Sequence, residues 1–301
     1  MMCAVWKQQV KRPSNLGRIG LYKMVNEEPK KFMAWIKPLS LILPLVLFVM
    51  AIGHSAQAVP NGGYVHPGTL IQPEELKALL EKKDPGIRII DAREKIPYLS
   101  GHIPGAVQIW RPDIEDKSHP IPGMMAPRPQ IEELLGNLGI SERNTLIIYS
   151  DLYDHARVWW ILAYYGFPLK QLKLLDGGID GWKSKGFPLE MVSHNLQKTQ
   201  FKLKGETKVR KPLLCTLPEV KSALKKPDKV VLDVRTKKEY IGEEIKKGAT
   251  RGGRIPGVTW IEWKETIFEE GPYKGYWKPA EEIRKIFSAK GASPDKDVYI
   301  Y

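Results

Sequence analysis

The 301-residue chain has few cysteines, few histidines and no excess of acidic residues. Its two cysteines, Cys3 and Cys215, are too few for a disulfide framework or a thiolate zinc cluster. The six histidines show no metal-ligand spacing, so we predict no metal site and no cofactor. The formal net charge is +13, but lysines and arginines stand beside aspartates and glutamates. Because nucleic-acid-binding proteins usually show a basic face interleaved with aromatic residues, nucleic acid is not an expected partner.

The sequence also lacks an apolar run long enough for a comfortable transmembrane helix. The run at 39–53 has about 15 residues, whereas a spanning helix needs about 20. It follows a cationic stretch ending at Lys37 and precedes Ser-Ala-Gln-Ala at 55–58, an order typical of a secretory signal peptide. We therefore predict a leader over 1–58, cleaved after Ala58, and a periplasmic or otherwise exported protein without stable membrane insertion. An uncleaved anchor is the alternative.

The rest of the chain contains an internal repeat. The segment IIDAR at 89–93 matches VLDVR at 231–235, and GHIPGAV at 101–107 matches GRIPGV at 253–258. LIIY at 146–149 then matches VYIY at 298–301, and 44 residues separate Gly105 from Tyr149 and Gly257 from Tyr301. Such agreement in motif and spacing indicates a duplication.

Each repeat is typical of a small α/β unit. Short β-branched runs at 87–90 and 230–232 favour buried parallel strands. Helices are predicted to open at Pro73 and at the capping box of Thr216, and others are predicted over 130–137 and 280–290. Alternating strands and helices predict a parallel sheet with helices on both faces, and ligands then bind beyond the carboxyl ends of the strands.

Three motifs resemble those of rhodanese-type (thiosulfate/3-mercaptopyruvate) sulfurtransferases. They are YxxxHIPGA at 98–106 preceded by Asp91 and Arg93, LDGGIDGW at 175–182, and RGGRIPG at 251–257. The resemblance covers about 66–301 and implies two tandem rhodanese-like α/β domains. The predicted divisions are the leader at 1–58, domain 1 at 59–195, a linker at 196–213 and domain 2 at 214–301.

The resemblance also implies persulfide chemistry. A cysteine that follows the Tyr-terminated strand would take sulfane sulfur from thiosulfate or a similar small anion and pass it to a thiol or to cyanide. The amino end of the next helix and the backbone N–H groups of the loop would stabilise the thiolate and the anionic persulfide. Double-displacement kinetics would follow.

Domain 1 departs from this pattern, because Ser150 stands at the cysteine position. A hydroxyl cannot form a persulfide, and Asp151 and Asp154 would repel an anionic donor, so we predict that domain 1 is catalytically silent. A hydrolytic arrangement of Ser150, His155 and an aspartate is a weaker alternative, supported only by their proximity in the loop.

In domain 2 the equivalent of Ser150 is the position after Tyr301, so the catalytic residue is expected there and none is present within the chain. We interpret domain 2 as incomplete and the 301-residue chain as inactive. One hypothesis is a selenocysteine whose UGA codon is read as a stop; a frameshift, a contig end and a nonsense mutation are the alternatives. Cys215, which precedes a predicted helix, is expected to be inert.

Two sets of residues complete the predicted site. Arg251 and Arg254 are substrate-binding candidates, because a basic loop before the second Ile-Pro-Gly would attract an anionic donor. Structural roles are expected for Asp91, Arg93, His102, Asp233 and Arg235. The competing functions are a non-catalytic tandem binding module and, less favoured, a phosphatase on the same scaffold.

Overall fold

The computed structural model describes residues 4–6, 62–151, 153–194, 196–203 and 213–301. Apart from residues 4–6, the predicted leader and its cleavage site after Ala58 lie outside the described residues, as does half of the predicted linker at 196–213. Within the described part of the chain, no helix is both long and apolar enough to cross a membrane.

The first half of the chain forms a parallel sheet, as the sequence predicts, and this sheet has five strands. Its strand order is β2-β6-β5-β3-β4. The strands are β2 (Leu70–Ile71), β3 (Ile87–Asp91), β4 (Ala106–Gln108), β5 (Thr145–Tyr149) and β6 (Leu172–Leu175). The helices are α1 (Pro73–Glu81), α2 (Lys95–Leu99), α3 (Arg128–Asn137), α4 (Asp154–Tyr164) and α5 (Gly178–Ser184).

Local sequence signals place these helices. Proline occupies the first position of α1, and the backbone N–H of Gln72 donates to Glu75 Oε2 at 3.1 Å, which satisfies a group that the helix itself cannot pair. Helix α3 begins at Arg128, two residues before the predicted start at Gln130, because Pro127 already provides the extended N-cap. Prediction from sequence alone places helix ends less accurately than it identifies the helices themselves.

Both faces of this sheet are covered. On one face, Ile90 of β3 and Ile148 of β5 pack with Ile131 of α3 and Ile161 of α4. The opposite face packs against α1 and α5, through Leu76, Ile179 and Trp182. The central strands β3 and β5 are therefore buried on both sides, as a parallel sheet in an α/β fold requires.

The second half of the chain repeats this architecture with fewer strands. Strand β7 (Lys229–Asp233) pairs in parallel with β8 (Thr259–Trp260) and β9 (Asp297–Ile300). Helix α6 (Leu217–Ala223) packs on one face and α8 (Ala280–Ala289) on the other, while α7 (Lys237–Ile241) follows β7. The predicted capping box opens α6, where Glu219 Oε2 accepts from the N–H and the hydroxyl of Thr216.

The second sheet differs from the expected purely parallel sheet. Residues Ala4–Trp6 form β1, which pairs antiparallel with β9, so the strand order is β1-β9-β7-β8. In the first sheet, β6 holds the equivalent place beside β5. An edge strand can satisfy the free N–H and C=O groups of its neighbour in either direction, whereas the parallel strands are directed by their crossover helices.

Candidate active site

A buried ion pair closes the carboxyl end of the central strands in the first sheet. Asp91 ends β3 and receives Arg93 Nη2 at 2.6 Å and the hydroxyl of Tyr149 at 2.6 Å. The Tyr149 oxygen in turn accepts from the backbone N–H of Ile103 at 3.0 Å, and Arg93 also donates to the carbonyl of Gly101. Burial raises the pKa of Tyr149, with the Asp91 charge acting in the same direction. The tyrosine is therefore protonated and can donate to the carboxylate.

The second sheet contains the same arrangement. Arg235 Nη2 lies 2.6 Å from Asp233 Oδ2 and donates to the carbonyl of Gly253 at 2.9 Å. The Tyr301 oxygen accepts from the backbone N–H of Ile255 at 3.2 Å, and burial raises the pKa of Tyr301 to about 12. In each half, the Ile-Pro-Gly turn is therefore joined through a tyrosine hydroxyl to the end of a central strand.

The main chain of Tyr301 defines the position where the sequence predicts a nucleophile. Its N–H donates to the carbonyl of Leu232 at 3.0 Å, and its carbonyl accepts from the N–H of Val234 at 3.0 Å. Tyr149 makes the equivalent bond to Ala92 in the first sheet, at 2.8 Å. Tyr301 is thus the counterpart of Tyr149 in main-chain hydrogen bonding as well as in sequence.

The two candidate substrate-binding arginines both lie in the exposed loop after α7, in different surroundings. The Arg254 guanidinium lies 4.4 Å from the ring centroid of Tyr240, a cation–π contact. Tyr240 stacks on Trp260, whose indole N–H donates to the carbonyl of Arg235 at 3.0 Å. This stack connects Arg254 to the carboxyl end of β7. Arg251 is exposed beside Gly252, which packs against Gly242.

Ser150 makes a contact that the repeat does not predict. Its hydroxyl lies 2.6 Å from Nδ1 of His155, which lies in the first turn of α4, and both side chains are buried. The same hydroxyl oxygen accepts from the backbone N–H of His155 at 3.5 Å. The carbonyl of Ser150 accepts from Ile179, which connects this loop to α5.

The charge state of His155 follows from its burial. Desolvation alone lowers its pKa to about 4, so the imidazole is neutral at pH 7. Among the described residues no carboxylate pairs with His155, so the geometry does not assemble the third member of a hydrolytic triad.

The two aspartates of the Ser150 loop have different surroundings. Asp151 is exposed, whereas Asp154 is half-buried and lies 4.0 Å from Arg111 Nη1. Burial raises the pKa of Asp154, and the nearby charges of Arg111 and Arg157 oppose this shift. The negative charge of Asp154 is therefore partly compensated by its neighbours, while that of Asp151 faces solvent.

His102 and Cys215 are both buried. Nδ1 of His102 donates to the carbonyl of Tyr98 at 2.9 Å, and the ring stacks on Tyr98. Cys215 packs in the core of the second half with Val220 and Tyr299. No group of three or more metal-binding side chains converges within the described residues.

The chain is similar to proteins of one family. Residues 72–185 match the rhodanese-like domain model. The chain is 31% identical over 253 residues to the sulfur carrier protein TtuD of Thermus thermophilus, covering 79% of this chain and 84% of that one. It is 29% identical to the 3-mercaptopyruvate sulfurtransferase of Escherichia coli, over 72% of this chain and 78% of that protein.

Solved structures agree with this likeness. SseA of Escherichia coli, described as a 3-mercaptopyruvate sulfotransferase with the rhodanese fold, matches with a TM-score of 0.61 and 26% identity, over 76% of this chain and 86% of that one. YnjE matches with a TM-score of 0.64 and 25% identity, over 78% of this chain. The chain spans 58% of the length of YnjE.

Proposed function

Since the chain belongs to the rhodanese-like sulfurtransferase family, we propose that it moves sulfane sulfur from a small anionic donor such as thiosulfate to a thiol or to cyanide. The second half would carry the reaction, at the position after Tyr301, and the first half would be catalytically silent. The tandem arrangement of two rhodanese-like domains, divided at 59–195 and 214–301, is part of this proposal.

One observation carries the proposal: the contacts around Asp91, Arg93 and Tyr149 recur around Asp233, Arg235 and Tyr301. The recurrence supports a catalytic position after Tyr301, because Tyr301 follows the carboxyl end of β9, and ligands of parallel sheets bind at that edge. Arg254 lies on the turn that Tyr301 holds, so its positive charge is suited to attract an anionic donor.

The proposed reaction has two displacements. A cysteine thiolate, or a selenolate, attacks the outer sulfur of thiosulfate; a bond to that sulfur forms, the S–S bond breaks, and sulfite leaves with the electron pair. The acceptor thiolate or cyanide then attacks the outer sulfur of the enzyme persulfide. Its bond to the enzyme breaks, which restores the thiolate and releases a persulfide or thiocyanate.

Two measurements test this function. The nucleotide sequence after codon 301 should encode cysteine, or UGA in frame, followed by a six-residue loop and a helix. The 301-residue chain should form no thiocyanate from thiosulfate and cyanide, while the chain read through that codon should turn over. Turnover by the 301-residue chain would contradict the assignment. A seven-residue loop would favour the phosphatase, and the absence of a nucleophile codon would favour a binding module.

The role of the basic loop needs a separate comparison. In the active chain, Arg251→Ala and Arg254→Ala should raise the KM for thiosulfate more than they lower kcat, because a steering charge acts mainly before the chemical step. Arg143→Ala is the matched control, since Arg143 is exposed before β5, at the amino end of the first sheet. Equal KM values for all three variants would remove the two arginines from the donor site.

We also propose that the protein is exported. The support is the cationic stretch, apolar run and small residues that end at Ala58. In cells producing the full chain, the mature protein should begin at Val59 when its amino terminus is sequenced by mass spectrometry. An intact amino terminus in the soluble cytoplasmic fraction would contradict export.

A further inference from the structure

The side chain of Tyr276 packs against Gly177 and Gly181 of the first half, in space that a larger side chain at either position would occupy. Tyr276 is 4% exposed. A Cβ atom built on Gly177 would lie 2.4 Å from Tyr276 Cε2, and one on Gly181 would lie 3.0 Å from the Tyr276 hydroxyl. Any larger residue at Gly177 would displace the ring, and the φ of +75° at Gly177 also favours glycine.

A buried carboxylate beside this contact binds the next residue. Asp176 is fully buried, and its Oδ1 accepts from the backbone N–H of Trp277 at 3.0 Å. Its Oδ2 accepts from Gln72 Nε2 at 2.9 Å. An amide of the second half thus satisfies a buried acceptor of the first half, which would otherwise lose a partner.

Tyr276 and Trp277 end a hairpin. The turn that precedes this hairpin in the sequence lies at the proposed active site. Phe268 and Tyr276 are joined by a backbone hydrogen bond of 2.9 Å, and Ile267 forms a β-bridge with Trp277. The turn before the hairpin starts at Trp263, whose N–H donates to the carbonyl of Val234 at 3.0 Å. Val234 is the residue that pairs with the Tyr301 carbonyl.

The first half holds this segment at both ends. The ring of Tyr153, in the loop after Ser150, meets Trp263 edge-on with 5.2 Å between ring centroids. The segment from Trp263 to Trp277 is therefore held between Tyr153 at one end and Asp176, Gly177 and Gly181 at the other.

We propose that Asp176, Gly177 and Gly181 form a docking socket for Tyr276 and Trp277, and that Tyr276 is a positioning residue for Trp263 at the carboxyl end of β8. In this chain the Asp-Gly-Gly segment of the silent half then serves to hold the other half. The inference concerns the docked segment and holds whether or not the protein transfers sulfur.

Hydrogen exchange of the 301-residue chain, followed by mass spectrometry, tests the socket. In Tyr276→Ala, the amides of 263–278 should exchange at least 10-fold faster, while those of β3 and β5 should stay unchanged. Tyr276→Phe keeps the ring and should exchange like the wild type. Tyr273→Ala is the matched control, because Tyr273 packs on Phe268 and Tyr276 within the hairpin. Equal acceleration by both Tyr→Ala variants would overturn the proposal.

A double-mutant cycle gives a sharper outcome and covers the case in which Tyr276→Ala does not fold in isolation. Gly181 lies within α5, outside the left-handed region, so alanine there would normally stabilise the helix. Against Tyr276, however, Gly181→Ala should lower the Tm and accelerate exchange of 263–278. In the Tyr276→Phe background, whose ring keeps two atoms 3.1 Å from the added Cβ, most of the Tm loss should remain, and in the Tyr276→Ala background it should disappear or reverse. A Gly181→Ala change that raises the Tm of the wild type, or an equal Tm loss in the Tyr276→Ala background, would overturn the socket.

Discussion

The hydroxyl of Ser150 lies 2.6 Å from Nδ1 of His155, at the strand end where the family resemblance implies a cysteine. Both side chains are buried, and burial alone keeps the imidazole neutral at pH 7. The pair connects the end of β5 to the first turn of α4, so it contributes to the stability of the first half. Two consequences for stability follow, one from the hydrogen bond and one from the neutral histidine.

Removing the hydroxyl should destabilise the protein. Ser150→Ala leaves Nδ1 of His155 buried without its partner, which costs about 1–3 kcal/mol in the free energy of unfolding. Urea denaturation at pH 7 measures the loss. Ser100→Ala is the control, because the exposed Ser100 hydroxyl, just after α2, donates to the carbonyl of Ile96 and its loss should cost much less. Equal losses for the two variants would contradict a buried Ser150–His155 bond.

The neutral histidine should make the protein less stable in acid. The pKa of His155 is about 4 in the folded state against 6.5 as the ordinary value. Between these values the unfolded chain binds a proton that the folded chain does not. The free energy of unfolding should therefore fall by about 1.4 kcal/mol per pH unit from this group as the pH drops through that window. His155→Asn offers Ser150 a hydrogen-bonding group and removes the titration. A wild-type slope no steeper than the variant's would refute the shift.

The two Asp–Arg pairs should differ in strength. The Arg93 side chain is 4% exposed and that of Arg235 is 24% exposed, while both aspartates are fully buried. Arg93→Ala leaves the Asp91 carboxylate buried without its cation and should cost about 3–5 kcal/mol. Water can partly replace Arg235, so Arg235→Ala should cost less.

Denaturant unfolding of the two single variants tests that order. The double variant Asp91→Asn/Arg93→Met should be more stable than Arg93→Ala alone, because it removes both charges together. An Arg235→Ala loss as large as that of Arg93→Ala would show that exposure does not weaken the second pair.

The buried Asp176 should respond to pH in the opposite sense to His155. Burial raises its pKa, and hydrogen bonds from Gln72 and Trp277 oppose this shift. The folded protein thus takes up a proton at a higher pH than the unfolded chain does. Its contribution to stability should increase as the pH falls from that raised value towards about 3.9, the ordinary value for aspartate.

Asp176→Asn isolates this effect. The difference in unfolding free energy between the wild type and Asp176→Asn should shift in favour of the wild type as the pH falls from 7 towards about 3.9, the ordinary value for aspartate. His155 is present in both proteins, so its contribution cancels. A difference that does not change with pH would mean that the Asp176 pKa is close to its ordinary value.

The sequence alone was sufficient to predict the α/β class, the parallel arrangement of β3, β5, β7 and β9, and the positions of α1, α3, α6 and α8. These features depend on short-range patterns: buried strands are runs of β-branched residues, and caps use residues within one turn of the helix start. The internal repeat also allowed a longer-range prediction. The spacing predicts that Tyr149 and Tyr301 are equivalent, and the two residues make equivalent hydrogen bonds.

Other contacts could not be predicted from local sequence patterns and were established only by the tertiary structure. Three contacts join residues that are distant in sequence or lie on separate elements. They are the antiparallel pairing of Ala4–Trp6 with β9, the cation–π contact of Arg254 with Tyr240 and the packing of Tyr276 against Gly177. The local periodicity of hydrophobic residues does not predict such contacts, because they depend on the packing of whole elements. Ser150 and His155 are only five residues apart, yet their bond depends on how α4 starts after β5. The chain sequence thus determined the family and the fold, and the packing of the two halves decided which motif residues hold the structure together.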